Sequence, residues 1–249
     1  MANPFLFRCF CAALLCCGVV SAQEVTLTAR VAFSSDTDRH DKDRHEKVRR
    51  ENHDAENVVF WLAPARGSTI ADPPVPPDSP HPRLVQKNKS FQPHLLVVPV
   101  GTIVEFPNHD PLFHNVFSLF EGKRFDLGLY EAGTTRKVHF DKPGISYIFC
   151  NIHPEMGAVV IALDTPYYAV SDKQGEIVIP HVPAGRYALH IWYEAAVPET
   201  LNSLVREITV TENSSALGVL RLKRASLRAS HKNKYGEDYP SPAPDNPAY

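Results

Sequence analysis

Cys150-Asn151-Ile152-His153-Pro154-Glu155-Met156 is the stretch on which the reading of this chain turns. It offers a thiolate, an imidazole and a thioether at three-residue intervals. It is bounded by two apolar, β-branched runs, Ile145 to Cys150 and Ala158 to Leu163. Such runs read as strands, and a short loop between strands can turn several side chains toward one point beyond a strand end. Upstream, Pro111-Leu112-Phe113-His114-Asn115 brings a second imidazole, which has to arrive from a neighbouring strand. Taken singly, His114 reads as a loop histidine, Met156 as core packing and His153 as a turn residue. Grouped around one thiol, they read as a ligand set for a soft metal.

The cysteine pattern sharpens this. Four of the five cysteines, Cys9, Cys11, Cys16 and Cys17, fall near the N-terminus. There Arg8 precedes an apolar run from Cys9 to Val20, and Val20-Ser21-Ala22 gives a small-x-small cleavage pattern, so residues 1–22 are expected to be an export signal. The run is too short for a comfortable membrane span. Cys150 is then left as the one thiol of an exported chain, where cysteines normally pair; an odd one is a flag for a liganded or reactive sulfur. The expected location is periplasmic or secreted. The formal charge of −2 gives no support for nucleic-acid binding.

Twenty-two prolines set between short Val-, Ile-, Phe- and Tyr-rich runs point to an all-β chain. Strands are expected at Glu24 to Phe33, Val58 to Leu62, Leu95 to Pro99, Thr102 to Phe106, His114 to Leu119, Phe125 to Tyr130, Thr135 to Phe140, Ile145 to Cys150 and Ala158 to Leu163. Between the first two, Ser34 to Glu56 mixes both charge signs with His40, His45 and His53 and reads as a solvated loop or short helix. Residues 66–82 read as a proline-rich connector. After Pro166 the turns Asp172-Lys173-Gln174-Gly175 and Val182-Pro183-Ala184-Gly185 predict two tight hairpins, followed by strands at Val205 to Thr211 and Leu217 to Leu222. The polar tail 223–249 is expected to be disordered.

One thiolate and two imidazoles with a weak axial thioether suit a mononuclear copper site for electron transfer. Zinc also accepts cysteine and histidine, but the thioether of Met156 favours copper. A binuclear centre needs a second cysteine in the loop. A multicopper oxidase needs histidines beside its cysteine, where this chain has Phe149 and Asn151. His109 reads as an exposed loop residue; His94, His139 and His181 are assigned no role.

The motif Cys150-x2-His153-x2-Met156, the run His114-Asn115-Val116, and Phe91-Gln92-Pro93 through Val104 to Asn108 resemble the cupredoxin family. The short ligand loop is most similar to amicyanin-like and plastocyanin-like blue-copper proteins, although Phe113 stands where plastocyanin-like members often carry proline. The likeness runs from about Arg83 to Leu163. It implies a Greek-key β-barrel or sandwich over residues 83–165. It further implies one type 1 copper per chain, with His114, Cys150 and His153 equatorial and Met156 axial, and Asn115 tying the two ligand loops by hydrogen bonding. The activity implied is one-electron carriage without an enzymatic reaction, with a cytochrome or dehydrogenase as partner and amine oxidation as a context. Within this reading His153 is expected at an exposed edge as the electron port, with Leu112, Phe113 and Pro154 as a docking face. The alternative is copper storage or delivery, with the His-rich tract as a collecting arm.

The segment Asp172 to Leu189 resembles the carboxypeptidase regulatory-like, or transthyretin-like, β-sandwich. Too few strands follow residue 166 to complete one, so residues 23–65 and 166–222 are expected to form a discontinuous second small sandwich, with Trp61 and Trp192 in its core.

Overall fold

A computed structural model describes residues 24–34, 55–65, 80–119, 121–223 and 231–239. The expected export signal, the charged tract with its three histidines, and the connector as far as residue 79 lie outside the described residues.

Among the described residues the fold is all-β apart from one short helix. The strands, in chain order, are β1 (Glu24–Ser34), β2 (Val59–Pro64), β3 (Val85–Gln86), β4 (Phe91–Gln92), β5 (Leu95–Pro99), β6 (Thr102–Pro107), β7 (His114–Ser118) and β8 (Phe125–Tyr130). They continue with β9 (Thr135–Phe140), β10 (Gly144–Cys150), β11 (Gly157–Leu163), β12 (Tyr168–Val170), β13 (Glu176–Pro183), β14 (Gly185–Trp192), β15 (Arg206–Val210) and β16 (Ala216–Lys223). The helix α1 (Pro198–Leu204) precedes β15.

The central segment folds as a sandwich. A five-stranded sheet in the order β5-β11-β10-β7-β8 faces the pair β6-β9. After the β7-β8 pairing the chain crosses to β9 on the other sheet and returns as β10 beside β7, a Greek-key excursion. The interior holds Val104, Phe106, Val116, Val138, Phe140, Ile148 and Val160, all buried, with Cys150 and Met156 at one end. β11 shows how sequence meets both faces of a sheet. Its run Gly-Ala-Val-Val-Ile-Ala-Leu is apolar throughout because both sides are covered. Period-two alternation sends Ala158, Val160 and Ala162 into the sandwich. The same alternation sends Val159, Ile161 and Leu163 outward, onto Val59 and Trp192.

The flanking segments pair with each other. β1 lies between β13 (antiparallel) and β16 (parallel), and β2 lies between β12 and β14, with β15 beyond. The two sheets enclose Leu27, Val31, Phe60, Leu62, Ile177, Ile179, Tyr187 and Leu189. Each large aliphatic or aromatic residue removed from water there contributes about 1.5–3 kcal/mol.

Several details depart from the sequence reading. The turns at 172–175 and 182–185 do not close hairpins. β12 pairs with β2, β13 with β1 and β14 with β2, so each turn carries the chain from one sheet to the other. Gly175 (φ +76°) allows the first crossing, since a Cβ there would lie 2.4 Å from the Val31 carbonyl oxygen. Trp61 and Trp192 are not in the core of the second sandwich; they lie between it and the outer face of β11. Helix α1 and the two-residue strands β3 and β4 had no periodic signal. Residues 231–239 are ordered against the end of β10, where the sequence reading expected disorder.

Candidate metal centre

The site begins with strand register. In β10 the alternating pattern buries Ser146, Ile148 and Cys150 on the interior face. Cys150 lies opposite Val116 of β7, and two residues earlier on the same face of β7 stands His114. Period two thus aims the sulfur and the first imidazole into one end of the sandwich. The loop after Cys150 folds back tightly. Met156 N–H donates to the His153 carbonyl (3.1 Å), and Cys150 N–H donates to the Met156 carbonyl (3.3 Å). His153 and Met156 stay beside the strand end, and both are buried.

The three donors converge. Nδ1 of His114 lies 3.7 Å from the Cys150 sulfur, and Nδ1 of His153 lies 3.6 Å from it. All three ligand atoms fall within 4.8 Å of one another. An ion bonded to nitrogen at about 2.0 Å and to sulfur at about 2.3 Å would leave such atoms roughly 3.6 Å apart, so the sulfur–nitrogen separations fit a single ion. The imidazole rings are 4.9 Å apart and inclined at 60°. Met156 is wholly buried in the same apolar cluster as Cys150.

Electrostatics fit ligation. Burial pushes the Cys150 thiol above its ordinary range, while backbone N–H groups of Ile152, Asn115 and His153 directed at the sulfur act the other way. Those donors would satisfy a thiolate once a cation replaced the proton. Burial lowers His114, keeping its ring neutral.

Asp110 is the residue that the sequence reading missed. Its carboxylate Oδ2 lies 2.9 Å from His114 Nε2. The same carboxylate accepts backbone N–H bonds from Asn88 (2.5 Å) and Lys89 (2.9 Å). Burial alone would raise its pKa, but the bonds from Lys89, His114 and Asn88 together hold it below the usual carboxylate range. An ionised carboxylate only accepts, so Nε2 must carry the imidazole proton and Nδ1 keeps its lone pair toward the sulfur. The support is local. Asn88 (φ 57°) and Lys89 (φ 51°) are both left-handed and form the two-residue turn between β3 and β4, which directs their N–H groups at Asp110. Asn108, wholly buried, takes the Asp110 N–H on Oδ1 (3.0 Å) and gives Nδ2 to the Leu112 carbonyl (2.7 Å). The signal present in the sequence was the four-residue spacing of Asp110 and His114.

Asn115 does join the ligand loops, but through its main chain: Asn151 N–H donates to its carbonyl (2.9 Å), and its own N–H faces the sulfur. Its side chain turns to Asp126 (2.7 Å) instead. His153 is only 3 % exposed, so the expected exposed edge is absent at that ring. Phe113 (54 %) and Ile152 (38 %) are exposed nearby, as is Pro154, whereas Leu112 is half-buried. His94, His109, His139 and His181 are all on the surface and outside the cluster.

No protein-family model matches the sequence, and no curated protein matches it. Among solved structures, part of the chain is similar to a purple cupredoxin from Nitrosopumilus maritimus, at 23% identity and a TM-score of 0.30, over 33% of this chain and 99% of that one. Part is similar to a copper-containing nitrite reductase from Thermus scotoductus, at 25% identity and a TM-score of 0.32, over 40% of this chain and 24% of that one. A reduced mutant of amicyanin aligns at 19% identity with a TM-score of 0.32, over 33% of this chain and 82% of that one.

Proposed function

We propose that the chain is an exported one-electron carrier whose metal is copper, held by His114, Cys150, His153 and Met156. The supporting observation is the convergence of a buried thiol and two buried imidazole nitrogens within 4.8 Å, at the end of a rigid sandwich. Copper in such a donor set supplies a Cu(I)/Cu(II) couple. The chain's own residues do the rest. Asp110 fixes the His114 ring and its tautomer. Backbone N–H groups share the sulfur's charge. The strands on either side keep the donors in place, so little has to move when an electron arrives or leaves. The apolar rim formed by Phe113, Ile152 and Pro154 is where a cytochrome or dehydrogenase would settle, in the small contact usual for redox encounters. An electron needs closeness rather than a solvent-exposed ring, so the burial of His153 is compatible with exit at that rim. No bond-making reaction is assigned to the chain, and the second sandwich serves as a spacer or docking module.

The test is a visible spectrum of the full chain loaded with copper. An intense thiolate-to-copper absorption band, reversibly bleached by reductant and missing from Cys150→Ser, is the expected result. A colourless copper-loaded protein would sink the proposal.

A further inference from the structure

About seventy-five residues after the ligand loop closes at Met156, and beyond a second sandwich, the chain comes back to the metal end. Residues 231–239 form a compact turn organised by Asn233. Its side-chain Oδ1 accepts the N–H groups of Tyr235 (2.9 Å) and Glu237 (3.0 Å), and its own N–H donates to the Glu237 carbonyl (2.9 Å). This turn grips the junction between β10 and the ligand loop. Tyr239 donates its hydroxyl to the Cys150 carbonyl (2.7 Å). Lys234 N–H donates to Asn151 Oδ1 (2.9 Å). His231 stacks on Phe149, with ring centroids 4.1 Å apart and planes 21° apart, and Tyr239 meets the His231 ring edge-on.

The second grip is on β8, next to β7. Lys234 Nζ reaches Asp126 Oδ2 at 2.9 Å, and Oδ1 of that carboxylate accepts Asn115 Nδ2 at 2.7 Å. Lys234 therefore links to both ligand-bearing strands at their ends: to β10 through Asn151, the residue after Cys150, and to β7 at one remove, through Asp126 of β8 and its bond to Asn115, the neighbour of His114. From the interior, Asn151 N–H already bonds the Asn115 carbonyl. The strand ends that must hold a thiolate and an imidazole at fixed separation are thus tied from inside by backbone and from outside by the tail.

We propose that residues 231–239 are a strap that positions the Cys150 and His114 strand ends for metal, with Lys234 and Tyr239 as its positioning residues. The strap rests on the electron-carrier reading only in that the site must take up a metal; its hold on the thiol does not. Groups that orient metal ligands from behind typically change affinity about 10–100-fold when lost, and the strap is expected to fall in that range.

The experiment compares the full wild-type chain with Lys234→Ala combined with Tyr239→Phe, Lys234→Arg, and a chain ended after Ser230. Two rates are read: modification of Cys150 by an aromatic disulfide reagent in metal-free protein, and release of bound copper to a chelator. In the double variant both should rise about tenfold or more, while Lys234→Arg, which keeps the charge and Tyr239, stays close to wild type. Rates within twofold of wild type in the double variant would overturn the strap, even if the shortened chain fails to fold. Faster thiol modification in a chain that takes up no copper would uphold the strap while ending the electron-carrier reading.

Discussion

The two sandwiches of this chain have opposite interiors. The second encloses Leu27, Val31, Phe60, Leu62, Ile177, Tyr187 and Leu189, and the buried polar residues beside it, Thr165 and Ser171, do nothing beyond hydrogen-bonding the chain. The first buries Gln86, Asn108, Asp110, His114, Asn115 and His153 next to an equally apolar core. A buried polar group without a partner costs roughly 1–3 kcal/mol, so such a set persists only where most of its polar atoms are matched; Gln86 Oε1 is an exception among the described residues. The matching here is dense: Asn108 holds the loop, the loop holds Asp110, and Asp110 holds His114. The difference separates an interior that only provides adhesion from one whose polar content is gathered around the cluster of His114, Cys150 and His153.

The largest expected effect tests the adhesive side. Phe60→Ala should cost about 3–5 kcal/mol in stability, read from denaturant midpoints, yet leave the visible band of copper-loaded protein unchanged. If the band shifts, the two interiors communicate through the contact of β11 with Val59 and Trp192, and the contrast between them fails. Next in size is Asp110→Asn, which keeps the shape and removes the charge. It should lower copper affinity about 10–100-fold, measured by competition with a chelator, with a much smaller change in unfolding midpoint than Phe60→Ala. An unchanged affinity would make Asp110 merely structural. Smaller again is Tyr130→Phe. The Tyr130 hydroxyl is bonded to the Gln86 amide within the metal-side core, and burial raises its pKa well above normal, so it is neutral at any working pH. Losing that bond should cost about 1 kcal/mol without altering the copper spectrum.

What the sequence disclosed, and what it hid, follows the same contrast. Strand positions and the Cys150, His153 and Met156 spacing were legible because period-two alternation and a short loop act over a few residues. The convergence of His114 with Cys150 was legible because a lone thiol needs partners. Asp110 was hidden because its role depends on two left-handed residues, Asn88 and Lys89, in a turn with no hydrophobic pattern. The crossings at Gly175 and Gly185 read as hairpins because turn chemistry is the same whether the next strand joins the same sheet or the opposite one. The tail read as disordered because its composition is polar, and composition says nothing about a surface already shaped to receive it.

The smallest effect concerns that tail. Burial would raise the Asp126 pKa, but Lys234, the Gly128 N–H and Asn115 more than offset this and hold it below the usual carboxylate range. A carboxyl whose folded value lies below its unfolded value of about 3.9 adds stability above that pH, and the contribution is lost as pH falls through the folded value. The Asp126–Lys234 bond should therefore hold across neutral pH and weaken only below about pH 4. The two side chains remain 36% and 21% exposed, so solvent screening keeps the effect under about 1 kcal/mol, and high salt should reduce it further. Amide hydrogen exchange at Asn151 and Lys234, followed from pH 7 to pH 3, should show the acid-side loosening in wild type and little pH dependence in Asp126→Asn. A loosening centred near neutrality, retained in Asp126→Asn, would mean that the tail is held chiefly by Tyr239 and the His231 stack rather than by the ion pair.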